Sequence, residues 1–350
     1  MEDLAQLVAM SAIEEELLKA DTLDVSPERV RELLLSFRKS IEPFVVRQSQ
    51  YAMEVVLLYS AFERLIEGLL SGAVSAINEL VPSYNEVPSR IQDSHRRKTI
   101  DALRDDVWLG RNGDPDLAAK LIEGLASCES RASNYRLNSQ AYGRHGANFR
   151  RTLIDDLFRD VGVDNFLSMT AQTMEFQAYL SAAVRERGLL DSEFGAVDDL
   201  AERRNEIAHG GPSELLTRNQ VSEYIAFFNA FSRSAYAALR RHLARFLVAH
   251  HATFLATLRE VHYRKVFCLE LGVLPEGTWI EVDDPLAVDM GTPVGYEIGA
   301  IVNIRTEDGD VRKCRSEKGL TVCFETSLRL VAGRRIYLVN RDCPASWMLE

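Results

Sequence analysis

The hydrophobic residues in the first three quarters of the chain recur at helical intervals. Between about residues 43 and 80 the apolar positions are spaced three and four apart, which predicts one long amphipathic helix. Residues 128–148 carry Ser, Asn, Gly and Tyr without an apolar repeat, so we interpret them as a long loop. The helical periodicity predicts further helices at about 89–107, 115–127, 149–161, 168–188, 193–209 and 217–250.

The pattern changes after about Val266 to short β-rich runs that are separated by glycines. These runs are Val266–Leu271, Trp279–Val282, Glu297–Ile304, Val311–Lys313, Leu320–Phe324 and Arg335–Val339. We therefore predict an α+β multidomain chain. An all-α helical bundle takes residues 1–264, and a small all-β, barrel-like domain takes residues 265–350.

Composition narrows the classes of partner. The 350 residues carry 41 Lys and Arg against 52 Asp and Glu, a net charge of -11, so bulk charge does not favour nucleic-acid binding and any such contact requires a local basic patch. No apolar run approaches the roughly 20 residues that a membrane helix needs. The acidic N-terminus lacks the basic start of a signal peptide, and we expect a cytoplasmic protein with no membrane partner.

The five cysteines predict neither a structural disulfide nor a metal centre. They are odd in number and contain no C-x-x-C spacing, which argues against a disulfide framework and against a zinc site. Nucleotide-binding and metalloprotease motifs are also absent from the sequence. We accordingly expect no metal and no cofactor.

One stretch carries candidate chemistry: Glu202-Arg-Arg-Asn-Glu-Ile-Ala-His-Gly210, which contains Arg-x4-His at a predicted helix end. The spacing alone is weak, because about 0.7 such pairs are expected by chance in this composition. The chain holds three, namely Arg90/His95, Arg204/His209 and Arg245/His250. Context separates them, since only Arg204 is followed by Asn and only His209 by a Gly pair.

The residue types in this stretch suit phosphodiester chemistry. The carbonyls at a helix C-terminus favour a protonated imidazole at His209, which suits a general acid. Arg204 stays cationic and can brace a phosphate with two hydrogen bonds, and Asn205 lies one turn before His209. Together they fit transesterification of RNA, in which the neighbouring 2′-hydroxyl is the nucleophile. The alternative is a solvated helix end with a capping histidine.

The Arg-Asn-x3-His-Gly run resembles the signature of the HEPN superfamily, a helical-bundle fold rich in metal-independent ribonucleases. Two further segments occur in matching order. Residues 57–67, Leu-Leu-Tyr-Ser-Ala-Phe-Glu-Arg-Leu-Ile-Glu, resemble the early helix of the RiboL-PSP-HEPN branch, and residues 145–163 resemble its middle segment. The resemblance covers roughly residues 45–250.

The resemblance implies roles for four residues. Arg204 and His209 would be the catalytic pair, Asn205 an orienting polar group, and Glu63 the carboxylate that positions Arg204. It also implies a homodimer in which two such helices face each other and form a composite site. The candidate RNA-binding residues are Arg203 beside the pair, with Arg144, His145 and Asn148 at the end of the predicted loop.

Two interpretations follow. The first is a metal-independent endoribonuclease that cleaves single-stranded RNA, serving as a toxin or anti-phage effector with a cognate antitoxin or defence-system partner. The second is a non-catalytic HEPN-like dimer that acts as a scaffold, sensor or antitoxin. Burial separates them, because a catalytic pair should be open to substrate whereas a structural His209 should be enclosed.

Overall fold

A computed structural model describes residues 28, 31, 32, 35 and 43–344, except 112, 132–133, 187–192, 211–213, 272–273, 275–277, 292–294 and 317–319. The chain divides into two compact units. The first comprises Met1–Phe62 and Gly195–Ala226, and the second Glu63–Phe194 and Phe227–Glu350. The second unit contains helices together with all the described strands, and the predicted domain boundary at 264/265 stays a prediction.

Helices occupy the described chain up to residue 251, as the apolar periodicity predicts. The segment predicted as one helix over 168–188 forms two, because the helical run is interrupted at Gln172 and Thr173. No helix in the described ranges is both long and apolar enough to cross a membrane. The helices are α1 Pro43–Leu80, α2 Ser89–Leu103, α3 Asp106–Arg111, α4 Leu117–Glu129, α5 Ser139–Gly143, α6 Arg151–Asp160, α7 Phe166–Ala171, α8 Met174–Glu186, α9 Gly195–Ala208 and α10 Arg218–His251.

The predicted loop at 128–148 is more ordered than its sequence indicates. Helix α5 lies within it, and Asn78 exchanges two hydrogen bonds with the backbone of Leu137, at 2.8 and 3.0 Å. The buried Asn138 amide donates to Thr99 and to the Leu121 carbonyl. Polar side chains therefore fasten this segment to the helices, and such anchoring leaves no apolar repeat for a sequence pattern to detect.

The sheet is antiparallel and joins strands in the order β1-β9-β4-β5-β8-β2, with β6 on β5 and a separate β3–β7 ribbon. Its inward side chains form one core that includes Phe267, Val288, Ile304 and Phe324. The strands are β1 Ala252–Thr257, β2 Val266–Glu270, β3 Trp279–Glu281, β4 Pro285–Gly291, β5 Gly295–Thr306, β6 Gly309–Val311, β7 Lys313–Arg315, β8 Thr321–Thr326 and β9 Arg335–Val339.

The predicted run Val311–Lys313 spans the junction of two separate strands, β6 and β7, and two further strands are absent from the prediction. Strand β1 begins at the residue after α10 ends, without a Gly or Pro between them, so residues 252–257 were interpreted as part of the helical region. Strand β4 was also missed. Both strands pair with β9, which is distant from them in sequence, and local sequence does not encode such a pairing.

The expectation of no disulfide is wrong. Cys268 and Cys323 are register partners on β2 and β8 and form a disulfide. They are 55 residues apart in sequence, and only the antiparallel pairing of the two strands brings them opposite each other. Cys128, Cys314 and Cys343 are buried and take no part in this disulfide.

His95 on α2 is fully buried, and neither ring nitrogen has a hydrogen-bond partner among the described residues. Burial lowers its pKa from 6.5 to about 4. As the pH falls through 6.5, His95 becomes protonated in the unfolded chain but stays neutral in the folded chain. The contribution of neutral His95 to the free energy of unfolding is therefore fully present above pH 6.5. It decreases progressively as the pH falls to about 4.

We expect the free energy of unfolding to fall by on the order of 2–3 kcal/mol between pH 7 and pH 4.5 because of this residue. Urea titrations at the two pH values measure the difference. His95→Leu should flatten the pH dependence by that amount. An equal pH dependence in the variant would contradict the assignment.

Candidate active site

The Arg-x4-His motif lies at the C-terminal end of α9, in the first unit. The helix ends at Ala208, and the backbone N–H of His209 donates to the carbonyls of Asn205 (3.0 Å) and Glu206 (3.2 Å). Gly210 follows with φ +136, a conformation that favours glycine. The predicted helix end is thus confirmed, and His209 is exposed one residue beyond it.

Arg204 is half-buried and lies over the ring of Tyr59, with 5.8 Å from its Cζ to the ring centroid. Tyr59 is buried on α1 and gives the guanidinium a flat, polarisable surface to rest on. Among the described residues of the first unit, no carboxylate pairs with Arg204. The guanidinium is therefore positioned by an aromatic ring while its charge stays available to an anion.

The side chain of the neighbouring Arg203 is engaged in hydrogen bonds within the protein. Its Nε donates to Asp199 (2.7 Å), and its Nη1 donates to the hydroxyl of Tyr51 (3.1 Å) and to the carbonyl of Glu214 (3.2 Å). The Tyr224 hydroxyl donates to the same Asp199 carboxylate. Arg203 thus joins α9 to α1 and to the segment before α10. RNA contact through Arg203 stays a prediction that this network does not support.

The sequence signal for part of this network was present. Asp199 and Arg203 are four residues apart on one helix, a spacing that favours an ion pair. The contacts with Tyr51 and Tyr224 join residues that are distant in sequence, as does the contact between Arg204 and Tyr59. No local spacing in the sequence encodes those three contacts.

The first competing pair, Arg90/His95, has a structural role in the second unit. Arg90 Nη1 donates to Asp164 at 2.8 Å. His95 is enclosed and fully buried, so no substrate reaches it. This pair has the geometry expected of a structural histidine.

The second competing pair, Arg245/His250, is also engaged. Arg245 donates to the Gly162 carbonyl at 3.3 Å, and burial lowers its pKa. His250 Nδ1 lies 3.4 Å from a carboxylate oxygen of Glu86. Of the three pairs, the one on α9 alone combines an exposed histidine with an arginine that has no carboxylate or carbonyl partner in the described part of its own unit.

Asn205 is half-buried on α9 in the first unit, and its orienting role stays a prediction. The other candidates lie in the second unit. Glu63 is half-buried on α1, and its role toward Arg204 stays a prediction from the family resemblance. Arg144 makes two contacts with Asp105, at 2.8 and 2.9 Å. Hydrogen bonds from the Trp108 backbone and from Arg144 lower the pKa of that carboxyl.

His145 is also held inside the second unit. Its Nδ1 lies 2.7 Å from the Ala147 carbonyl and its Nε2 lies 3.3 Å from Glu67, while the ring packs on Phe149 at 4.1 Å. Asn148 is half-buried nearby in sequence. RNA binding by Arg144, His145 and Asn148 stays a prediction, and the first two already have protein partners.

The described residues contain no group of three or more His, Cys, Asp or Glu side chains arranged to hold a metal ion. The chemistry that the motif offers is electrostatic and acid–base: one exposed imidazole and one available guanidinium at the end of α9.

The model of the RiboL-PSP-HEPN family matches residues 16–239. This match spans more than half of the chain and includes α9 with both motif residues. The chain belongs to the RiboL-PSP-HEPN family. No curated protein sequence matches the chain. The matched region ends within α10, before the first strand. HEPN domains are associated with ribonucleases, and membership supports an RNA-related role.

Proposed function

We propose that this RiboL-PSP-HEPN protein is a metal-independent endoribonuclease that cleaves single-stranded RNA by transesterification. The observation that carries the proposal is the contrast among the three Arg-x4-His pairs. Only Arg204/His209 combines an exposed histidine with an arginine that has no carboxylate or carbonyl partner in the described part of its own unit. An enclosed histidine would have favoured the scaffold interpretation.

The proposed reaction uses the groups of the motif directly. The 2′-hydroxyl oxygen attacks the adjacent phosphorus and loses its proton to a general base. The bond from phosphorus to the 5′-oxygen breaks, and protonated His209 gives its proton to that leaving oxygen. Arg204 stabilises the charge that develops on the phosphoryl oxygens. The products are a 2′,3′-cyclic phosphate and a 5′-hydroxyl end.

One motif copy supplies a single titrating group, whereas this reaction benefits from a base and an acid. We propose that a homodimer supplies both. The first unit supports this with an exposed apolar face on α1, where Met53, Val56 and Leu57 recur at i, i+3 and i+4 with 58%, 42% and 61% exposure.

Met53→Glu combined with Leu57→Glu is therefore expected to give a monomer and to lower RNA cleavage strongly, because a charge in an apolar interface is costly to desolvate. Sedimentation velocity at micromolar concentration and a cleavage assay measure the two effects. The matched control is Ile122→Glu, an exposed apolar position in the second unit. A fully active monomeric protein would contradict the composite site.

The direct test of the proposed function is incubation of the purified protein with RNA in the presence of EDTA. We expect cleavage to proceed at the same rate with and without the chelator, because the nucleophile is the 2′-hydroxyl and the acid is an imidazole. Loss of cleavage with EDTA would assign the chemistry to a metal. Absence of cleavage under both conditions would favour the scaffold, sensor or antitoxin interpretation.

The biological use as a toxin or anti-phage effector, with a cognate antitoxin or defence-system partner, rests on the family resemblance. We propose it on that basis. Growth arrest on expression of the wild-type protein, and none with His209→Ala, is the corresponding observation.

A further inference from the structure

The β3–β7 ribbon of the second unit has an unusual distribution of side chains. Ile280 and Cys314, at the middle of the two strands, point into the core of the sheet and are buried. The alternation of a strand places their neighbours on the opposite, outward face. That face carries Trp279 and Glu281 from β3, with Lys313 and Arg315 from β7.

Trp279 is 48% exposed, which is high for a large aromatic residue. It lies opposite Arg315 in the strand register, and Lys313 Nζ lies 5.0 Å from its ring centroid. Nothing in the packing of the core requires this ring, because the inward positions of the ribbon are already filled by Ile280 and Cys314.

The cations on the ribbon are also unusual in this acidic chain. Arg312, Lys313 and Arg315 are exposed, and none of them has an ion-pair partner among the residues that the structure describes. Glu281, the carboxylate opposite Lys313, lies 3.4 Å from Arg341 instead. On the larger sheet, by contrast, Arg305 lies 3.8 Å from Asp310 and Arg335 lies 2.9 Å from Asp289.

We propose that the outward face of the β3–β7 ribbon binds single-stranded RNA, with one base stacked on Trp279 and the phosphates along β7. Outward residues two apart on a strand are about 6.7 Å apart, comparable to the separation of successive phosphates in an extended strand. An aromatic ring flanked by cations matches both parts of a nucleotide, the planar base and the anionic phosphate. An acidic peptide would satisfy only the cations.

This site deepens the proposed function, since it rests on RNA being the ligand, and it lies outside the region matched by the family model. The ribbon binds RNA without taking part in the chemistry. It also explains how a chain of net charge -11 holds a polyanion, namely through a local patch rather than through bulk charge.

The experiment measures binding separately from cleavage. Full-length protein carrying His209→Ala is titrated against a fluorescein-labelled single-stranded RNA oligonucleotide, with anisotropy as the readout at several salt concentrations. Trp279→Ala on this background should raise Kd on the order of 10- to 100-fold, and Trp279→Phe should recover most of the affinity because it keeps a stacking ring. Lys313→Gln with Arg315→Gln should reduce the slope of log affinity against log salt by about 1.4.

Two matched controls remove the same groups from another part of the sheet. Arg335→Gln removes an arginine that is paired with Asp289 at 2.9 Å, and Phe254→Ala removes an aromatic ring that is 38% exposed. Both should bind RNA like the parent protein. Circular dichroism and thermal midpoints identify any variant that has lost its fold, and Trp279→Phe keeps the test informative if Trp279→Ala has.

Unchanged affinity in the ribbon variants, or a loss of equal size in the controls, would overturn the inference. Competition by poly-glutamate as effective as that by unlabelled RNA would assign the ribbon to an acidic peptide. Failure of the wild-type protein to cleave RNA, with ribbon-dependent binding intact, would contradict the proposed function and leave the binding site standing.

Discussion

Replacing His209 with alanine is expected to reduce the rate of RNA cleavage on the order of 10²–10⁴-fold, because the leaving 5′-oxygen loses its proton donor. Arg204→Ala should cost a comparable factor, since the developing phosphoryl charge loses its preorganised cation. His209 is exposed beyond the end of α9 and Arg204 is only half-buried, so the fold should survive. Single-turnover cleavage of a labelled RNA, with thermal unfolding measured in parallel, checks both expectations.

The competing pairs provide the control, and the structure decides which of them is suitable. By sequence, His95 and His250 are equally suitable control residues, because each belongs to a competing Arg-x4-His pair. His95, however, is completely buried, and its replacement by alanine would leave a cavity. His250 is near the surface beside Glu86, so His250→Ala tests the loss of a histidine without disturbing a core. We expect it to retain most of the activity. Wild-type cleavage by His209→Ala would show that the site is assigned wrongly.

A substrate with deoxyribose at the scissile nucleotide is expected to yield no detectable product at that position. The proposed nucleophile is the 2′-hydroxyl oxygen, and its removal leaves the phosphorus without an attacking group. An oligonucleotide with one preferred cleavage site, prepared with and without the single 2′-oxygen, allows the comparison by gel electrophoresis. The same substitution several nucleotides away serves as the control and should be cleaved normally.

Cleavage of the deoxy substrate at the normal position would assign the attack to water and would remove the mechanism proposed for His209 and Arg204. It would leave RNA binding by the β3–β7 ribbon untouched, because that prediction concerns stacking and phosphate contacts. The chemical identity of the end groups gives an independent check, since a 2′,3′-cyclic phosphate forms only when the 2′-oxygen is the nucleophile.

The local sequence predicted the helices well, because the spacing of apolar residues along each amphipathic helix shows which face is buried. The end of α9 was predicted to within a residue, since Gly210 can adopt a positive φ and ends the helix there. The motif residues were found for the same reason: Arg204, Asn205 and His209 form one continuous segment. Membership of the RiboL-PSP-HEPN family was also recognisable from three short segments in the right order.

Contacts between distant segments were not predictable in this way. Both Arg203 and Arg204 are predicted to act on RNA, yet Arg203 is bound by Asp199, Tyr51 and the Glu214 carbonyl while Arg204 lies over the Tyr59 ring. The difference arises from which side of α9 each residue faces and from what lies there.

The amino-acid sequence by itself determined the succession of the helices, most of the strands, the position of the Arg-x4-His motif at a helix end, and the family. These properties depend on residues close together along the chain, where propensity and periodicity act directly. Only the tertiary structure decided which of three identical Arg-x4-His spacings has an exposed histidine, that β1 and β4 are strands, and that Cys268 lies opposite Cys323. Burial and strand register are properties of partners brought together from distant positions, so no local pattern contains them.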